Sequence, residues 1–168
     1  MNWDSYFLSM SYLVSMKSKD PSTKIGAVIV GVDHEILSTG FNGMPRGMDD
    51  TNADYNDRTK LKYMAYEHAE RNAIYNAAKI GVSTEGSTMY TLGLPCCDCG
   101  RACIQAGIKR VVIHYPHKTW FNREKWKESC DFTAKMFKDC GILLEDLDVP
   151  LISEIVCRCN NQDFKLNQ

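Results

Sequence analysis

The sequence has almost no net charge, because 20 lysine and arginine residues are matched by 21 aspartate and glutamate residues, which leaves −1 at pH 7. It therefore lacks the basic excess that neutralises many phosphates at once, and we do not expect a tight complex with long nucleic acid. A local pocket for a single phosphate is compatible with this balance.

Long apolar runs are also missing. Nothing in the chain approaches the roughly 20 apolar residues that cross a bilayer, and the start, Met1-Asn2-Trp3-Asp4, is not followed by the apolar segment of a signal peptide. We therefore expect a cytoplasmic protein that does not enter a membrane. In that compartment the eight cysteines should be reduced thiols plus a metal site rather than disulfides.

What the sequence does contain is two short runs of metal-binding residue types, His68-Ala69-Glu70 and Pro95-Cys96-Cys97-Asp98-Cys99. Three protein ligands leave the fourth position of a tetrahedral zinc open, which is the arrangement of a catalytic zinc site. We predict that His68, Cys96 and Cys99 bind one catalytic zinc ion. Glu70 is the predicted proton carrier, since a zinc-bound water has a pKa near neutrality.

Two alternatives for these runs stay open. A CxxC pair can be a redox pair or two buried thiols, and Cys97 is a competing ligand. On a helix, Cys96 and Cys99 share one face and Cys97 does not, which favours the chosen pair. Each run also precedes a helix-like segment, whose N-terminus favours thiolate.

The order of the predicted elements indicates an α/β fold. Helices are predicted at 3–17, 68–79, 97–106 and 121–140, and strands at 24–30, 35–41, 87–92, 109–114 and 142–147. Helices between the last three strands imply parallel right-handed crossovers. We predict one domain over residues 1–168, with a core at about 3–147, built as three α/β/α layers on a five-stranded mixed sheet.

Two helices carry apolar stripes that we expect to face the core. The stripes comprise Tyr6, Met10 and Val14 with Trp3, Phe7 and Leu13 beside them, and Trp126, Phe132, Met136 and Phe137. The polar segment from residue 42 to about 62 should be a functional or mobile loop. No structure is assigned to the C-terminal tail, residues 150–168.

Five runs together resemble the deoxycytidylate (dCMP) deaminase family of the zinc-dependent cytidine deaminase superfamily. They are Asp20-Pro21 with Ile25-Gly26-Ala27, Asn42-Gly43-Met44-Pro45, His68-Ala69-Glu70-Arg71-Asn72-Ala73, Pro95-Cys96-Cys97-Asp98-Cys99 and Gln105-Ala106-Gly107-Ile108-Lys109. H-x-E followed by P-C-x-x-C is the signature of zinc nucleobase deaminases. The resemblance covers about residues 3–147 and implies a cytidine-deaminase-like fold that hydrolyses dCMP to dUMP and ammonia, which feeds thymidylate synthesis.

The resemblance also implies a mechanism and a metal count. Zinc holds a hydroxide at C4 of cytosine, while Glu70 delivers a proton to N3 and then to the leaving amino group. Some relatives bind a second, structural zinc through the loop before the histidine. Because that loop contains neither Cys nor His here, we expect one zinc per subunit.

Substrate contacts are predicted from the resemblance and from position. Asn42 resembles the asparagine that bonds the sugar hydroxyl and the base, although a plain Asn-Gly turn is the alternative. Asn72 lies within one helical turn of Glu70 and could reach the base or phosphate. The backbone at Ala69 and Pro95 could bond the pyrimidine edge.

Two further contacts rest on residue type. Ser22, Thr23 and Lys24 combine hydroxyls with a cation at a strand start, which suits a 5′-phosphate, although a solvated loop would look the same. Tyr115, after the fourth strand, could stack on the base; a core tyrosine is the alternative.

Regulation is implied by the resemblance alone. Members of the family form homohexamers that dCTP activates and dTTP inhibits, usually with Mg²⁺. The effector site involves a Gly-aromatic-Asn-Gly run, here Gly40-Phe41-Asn42-Gly43. The aromatic residue is Phe instead of the more usual Tyr or Trp.

Other functions fit the sequence less well. A deaminase of tRNA adenosine should have a more basic surface, and an enzyme for free cytidine or deoxycytidine typically has Cys in place of His68. A non-catalytic zinc-binding module would need a fourth ligand and no proton carrier, so Glu70 argues against it.

Overall fold

A computed structural model of the protein describes residues 1–114, 124–154, 156–159 and 162–165. The helices are α1 Trp3–Ser15, α2 Ala53–Asn56, α3 Lys62–Ala65, α4 Ala69–Ile80, α5 Cys97–Gln105 and α6 Glu124–Asp139. The strands are β1 Gly26–Val30, β2 Ile36–Phe41, β3 Thr88–Thr91, β4 Arg110–His114, β5 Leu143–Leu147, β6 Val156–Cys159 and β7 Gln162–Lys165. Within these residues no helix is long and apolar enough to cross a membrane.

The main sheet has five strands in the order β2-β1-β3-β4-β5. Strand β1 runs antiparallel to both β2 and β3, whereas β3, β4 and β5 are parallel. Every residue of β1 is buried, as expected for a continuous apolar run that lies inside a sheet with both faces covered. The predicted five-stranded mixed sheet is confirmed.

Helices cover both faces of this sheet. On one face, α1 packs Phe7 and Leu8 against Val28, Tyr90 and Val112. On the other face α4, α5 and α6 share a core with β1, β3 and β4, whose members include Ala73, Cys103, Phe137, Ile29, Met89 and Val111. The three-layer α/β/α prediction is therefore confirmed.

The predicted apolar stripes were partly wrong. Trp3, Leu13 and Phe132 are 53%, 57% and 51% exposed. On α1 a small polar residue makes a close approach instead: a Cβ on Gly26 would lie 2.1 Å from the backbone carbonyl oxygen of Ser11. Counting only apolar positions misses such contacts, because a short side chain brings the backbones of helix and strand together.

Two segments have more structure than the sequence indicated. The polar segment contains α2 and α3 and buries Lys62. In the tail, β6 and β7 form an antiparallel hairpin. The residues before it lie on α1, where the Ile152 N–H donates to Ser9 Oγ at 2.8 Å. The tail thus begins by packing on its own chain, and the single-domain boundary stays a prediction.

Candidate metal centre and active site

The start of α4 presents His68 and Glu70. His68 is the N-cap residue, with extended backbone angles, and Glu70 lies in the first turn. An antiparallel bridge joins Glu67 to Gly43, after β2. The Glu67 carboxylate then accepts from the His68 N–H at 2.8 Å. Glu67 therefore ties the backbone directly before the helix to Gly43 and also holds the His68 N–H.

The start of α5 presents the two cysteines. Cys96 is the N-cap residue of this helix, and Cys99 lies in its first turn. Both are buried. Because β3 ends at residue 91 and α5 begins at residue 97, the turn above the sheet brings both sulfurs to the start of α4.

The three predicted ligands meet at one point. Nδ1 of His68 lies 3.4 Å from the sulfurs of Cys96 and Cys99. Among the described residues, these three form the one group of metal-ligating side chains, with donor atoms within 4.8 Å of one another. One imidazole nitrogen and two sulfurs fit the donor preference of zinc. Oε2 of Glu70 lies 3.6 Å from the Cys99 sulfur.

Within this group the local environment lowers the pKa of Cys96 and raises the pKa values of Cys99 and Glu70. Hydrogen bonds from Cys99 and His68 outweigh burial and lower the pKa of Cys96 to about 4. The hydrogen bond with Cys96 and burial raise the pKa of Cys99. Burial raises the pKa of Glu70. A buried carboxylate with a raised pKa suits a group that accepts and returns protons near neutral pH.

A cavity opens on this group. Its wall includes His68, Glu70 and Cys96, and the backbone of Ala69. The wall also includes a polar group, here called the polar end, formed by Asp20, Thr23, Asn42, Arg58 and Lys62, and an aromatic side formed by Tyr63, Tyr66 and Trp126. A ligand with a flat ring and a charged end would match this distribution.

At the polar end, Asn42 organises the wall. Its Oδ1 accepts from the Ile25 N–H at 2.8 Å, and its Nδ2 donates to the Thr23 carbonyl at 2.8 Å and to Asp20 at 3.2 Å. Both N–H groups of the amide are therefore used within the protein. Arg58, an exposed residue, donates to Thr23 Oγ1 at 3.1 Å.

The aromatic side of the cavity joins α3 to α6. Trp126 stands edge-on to His68, with ring centres 5.8 Å apart, and 6.1 Å from Tyr63. Nζ of Lys125 lies 3.4 Å from the centre of the Tyr63 ring. These contacts place the Trp126 ring beside His68 and the Tyr63 ring beside Trp126.

The three residues predicted to contact the phosphate lie in different places relative to the cavity. Thr23 lies on the cavity wall. Ser22 does not line it and instead hydrogen-bonds to Asp20 and to the Lys62 ammonium. Lys24 is exposed and lies off the wall. The cations on the described part of this wall are Arg58 and Lys62, and the phosphate contacts of Ser22, Thr23 and Lys24 stay predictions.

Three other predicted contacts have different outcomes. Pro95 is buried directly before Cys96. Asn72 faces a second cavity, and its Nδ2 donates to the Phe41 carbonyl at 2.8 Å. Tyr115 lies outside the described residues.

That second cavity includes part of the predicted effector run. Phe41 and Gly43 line it together with Arg46, Asn72 and Tyr75, and Glu67 lies on the walls of both cavities. Gly40 is not on this wall. A Cβ there would lie 2.2 Å from the Ala73 nitrogen, so glycine allows β2 to touch α4.

The sequence reasoning missed Arg58, Lys62 and Trp126. Arg58 and Lys62 are cations in the polar segment before His68. The expectation that this segment is a functional or mobile loop is the signal that could have identified them. Trp126 was assigned to the core for its apolar character, and nothing in the sequence marked it as a wall residue.

Comparison with known proteins agrees with this geometry. Residues 1–115 match the family model of the cytidine and deoxycytidylate deaminase zinc-binding region. Deoxycytidylate deaminase of Mus musculus is 35% identical over 162 residues, 93% of this chain and 85% of the mouse protein. The Homo sapiens deoxycytidylate deaminase is 33% identical with the same coverage. The dCMP deaminase of cyanophage S-TIM5, solved with dCMP and dUMP, superimposes with a TM-score of 0.67 at 26% identity, covering 84% of this chain and 94% of that chain.

Proposed function

Since the chain belongs to the cytidine and deoxycytidylate deaminase family, we propose that it hydrolyses dCMP to dUMP and ammonia. The observation that carries the proposal is the buried carboxylate of Glu70 beside the group of His68, Cys96 and Cys99, on a cavity whose wall also includes Arg58. The names of the mouse and human relatives and the ligands of the cyanophage enzyme support dCMP as the substrate.

Zinc would be held by His68, Cys96 and Cys99, and when bound it supplies a Lewis acid that lowers the pKa of water. Glu70 then accepts one proton of the attacking water and gives it to N3 of the cytosine. The second proton of the water passes through the same carboxylate to the leaving amino group, which departs as ammonia. The water oxygen stays on C4, so the atoms of dCMP and water are all accounted for in dUMP and ammonia.

The phosphate is proposed to lie at the polar end of the cavity. Lys62 already faces the carboxylate of Asp20, so much of its charge is compensated within the protein. Arg58 is exposed, and within the described residues its guanidinium donates to the Thr23 hydroxyl. A guanidinium forms paired hydrogen bonds with phosphate oxygens, and we therefore assign the 5′-phosphate to Arg58 and Thr23.

The experiment that tests this function is ammonia release by the purified zinc-loaded protein on dCMP, CMP, deoxycytidine and dCTP. A strong preference for dCMP is expected, with Glu70→Gln as the inactive, zinc-retaining control. Equal turnover of deoxycytidine would contradict the phosphate assignment and favour the free-nucleoside alternative. A protein that binds zinc but deaminates no pyrimidine would favour the non-catalytic zinc-binding module. A protein that deaminates tRNA adenosine would favour the tRNA deaminase.

We also propose that dCTP activates and dTTP inhibits the enzyme, with Mg²⁺ accompanying the nucleotide, at the second cavity. Support comes from Glu67, which lies on the walls of both cavities and bonds the His68 N–H. An effector that contacts Glu67 in this cavity would touch the residue directly before His68 in the sequence. A dCTP titration should shift the dCMP saturation curve in the wild type but not in Phe41→Ala; an unchanged wild-type curve would contradict regulation.

A homohexamer in the cytoplasm is proposed as the working form. The measurement is the mass of the purified protein in solution by light scattering, with and without dCTP. A monomer under both conditions would contradict the assembly.

A further inference from the structure

The helix that carries both cysteines begins without a side-chain oxygen at its N-cap position. Ser, Thr, Asp or Asn usually occupies that position, where its oxygen accepts a hydrogen bond from the first turn. Here the position is Cys96, whose sulfur faces His68. The N–H of Cys97, the first residue of α5, has no acceptor within the helix and needs one from elsewhere.

Ser129 of α6 supplies that acceptor. The Cys97 N–H donates to Ser129 Oγ at 2.8 Å, across 32 positions in the sequence. In the sequence, Cys97 lies between Cys96 and Cys99, whose sulfurs face His68. The hydrogen bond therefore fixes the backbone at the centre of the turn that carries Cys96 and Cys99.

The next turn of α6 holds the same segment by packing. Thr133 is fully buried, and its hydroxyl donates to the Ser129 carbonyl at 3.0 Å. A Cβ on Gly100 would lie 2.7 Å from the Thr133 methyl, so the two helices are in direct contact one residue after Cys99. In addition, the Cys130 thiol donates to the Leu94 carbonyl at 3.4 Å, just before the cysteine turn.

We propose that Ser129 is a positioning residue for the metal group, which caps α5 from outside and holds both sulfurs toward His68. Because a sulfur that faces His68 occupies the N-cap position, the oxygen that accepts from the Cys97 N–H comes from a neighbouring helix. Groups that orient metal ligands in this way commonly change metal affinity by 10- to 100-fold when they are removed. The inference rests on the proposed function only in that zinc binds at His68, Cys96 and Cys99; it does not depend on the substrate.

The test is the rate at which zinc leaves the loaded protein into an excess of chelator, followed with a metal indicator. Ser129→Ala should lose zinc about tenfold faster than the wild type, whereas Ser129→Thr, which keeps the hydroxyl, should stay close to it. In the cobalt-substituted protein, the visible absorption bands of the metal should change in Ser129→Ala and not in Ser129→Thr.

Ser11→Ala is the matched control, since it removes a buried hydroxyl that donates to the Tyr90 carbonyl at 3.0 Å from α1, on the other face of the sheet. It should lower the thermal unfolding midpoint without changing zinc release. Equal zinc release and spectra in Ser129→Ala and wild type would overturn the positioning role, as would a Thr variant as fast as Ala or equally fast release from Ser11→Ala. A wild-type protein that binds no zinc would instead contradict the metal site, and with it this proposal.

Discussion

Lys62 and Asp20 form a buried ion pair on the cavity wall, with Nζ 2.6 Å from Oδ1 and side chains only 6% and 5% exposed. The residues are 42 positions apart in the sequence. The pair joins the segment before His68 to the turn before β1. It therefore shapes the polar end of the cavity while leaving Arg58 as the exposed cation there.

Breaking this pair should destabilise the protein strongly. Lys62→Met leaves a buried carboxylate without its cation, and we expect a loss of about 3 kcal/mol or more in the free energy of unfolding. The measurement is urea denaturation at neutral pH. Lys60→Met is the control, because the Lys60 and Asp54 side chains are 54% and 53% exposed and such surface pairs contribute little. Equal losses in both variants would contradict the role of the buried pair.

Replacing Glu70 should separate catalysis from metal binding. Glu70→Gln keeps the size of the side chain but cannot carry a proton, so turnover of dCMP should fall by more than the ~10²–10⁴-fold typical of a simple acid–base residue. Zinc content, measured on the same preparation, should equal that of the wild type. Loss of the metal together with activity would mean that Glu70 acts by maintaining the site.

Substitution of Arg58 by alanine should weaken the binding of dCMP, whereas the same substitution at Lys24 should not. Arg58→Ala should raise KM for dCMP about tenfold or more, since hydrogen bonds to charged groups contribute about 1.5–3 kcal/mol, and should leave turnover of deoxycytidine unchanged. Lys24→Ala should have little effect on either substrate, because Lys24 lies off the cavity wall. The opposite pattern would restore the phosphate site inferred from sequence.

Acid should weaken the contact between α1 and the sheet. Arg110 bonds both carboxylate oxygens of Asp4, at 2.8 and 3.1 Å, and lowers the pKa of Asp4 from its ordinary 3.8. The folded state therefore binds fewer protons than the unfolded state at this site, so stability rises with pH in this range and is lost as pH falls below about 4. Urea denaturation across this range should show a shallower loss in Asp4→Asn. An identical slope would mean that other groups dominate.

The chemistry of the candidate site was predictable because it is local. His68 and Glu70 lie within one helical turn, as do Cys96 and Cys99, so residue type and spacing, together with the resemblance to the signature of zinc nucleobase deaminases, indicated a zinc group with a proton carrier. The sheet was predictable for a similar reason: β1 is a continuous buried run, and helices between β3, β4 and β5 require parallel strands.

The rest of the cavity wall was decided by the tertiary structure. Arg58 and Trp126 reach the wall, and Ser129 reaches the turn that carries the cysteines, from segments in which no motif marks these residues. The burial of Ser11 on α1 and Thr133 on α6 was also not predicted, because counting apolar residues passes over polar residues that share a face with Phe7 and Phe137. Sequence spacing reports which residues share a helix turn, whereas contacts over tens of residues depend on how closely helices and strands pack.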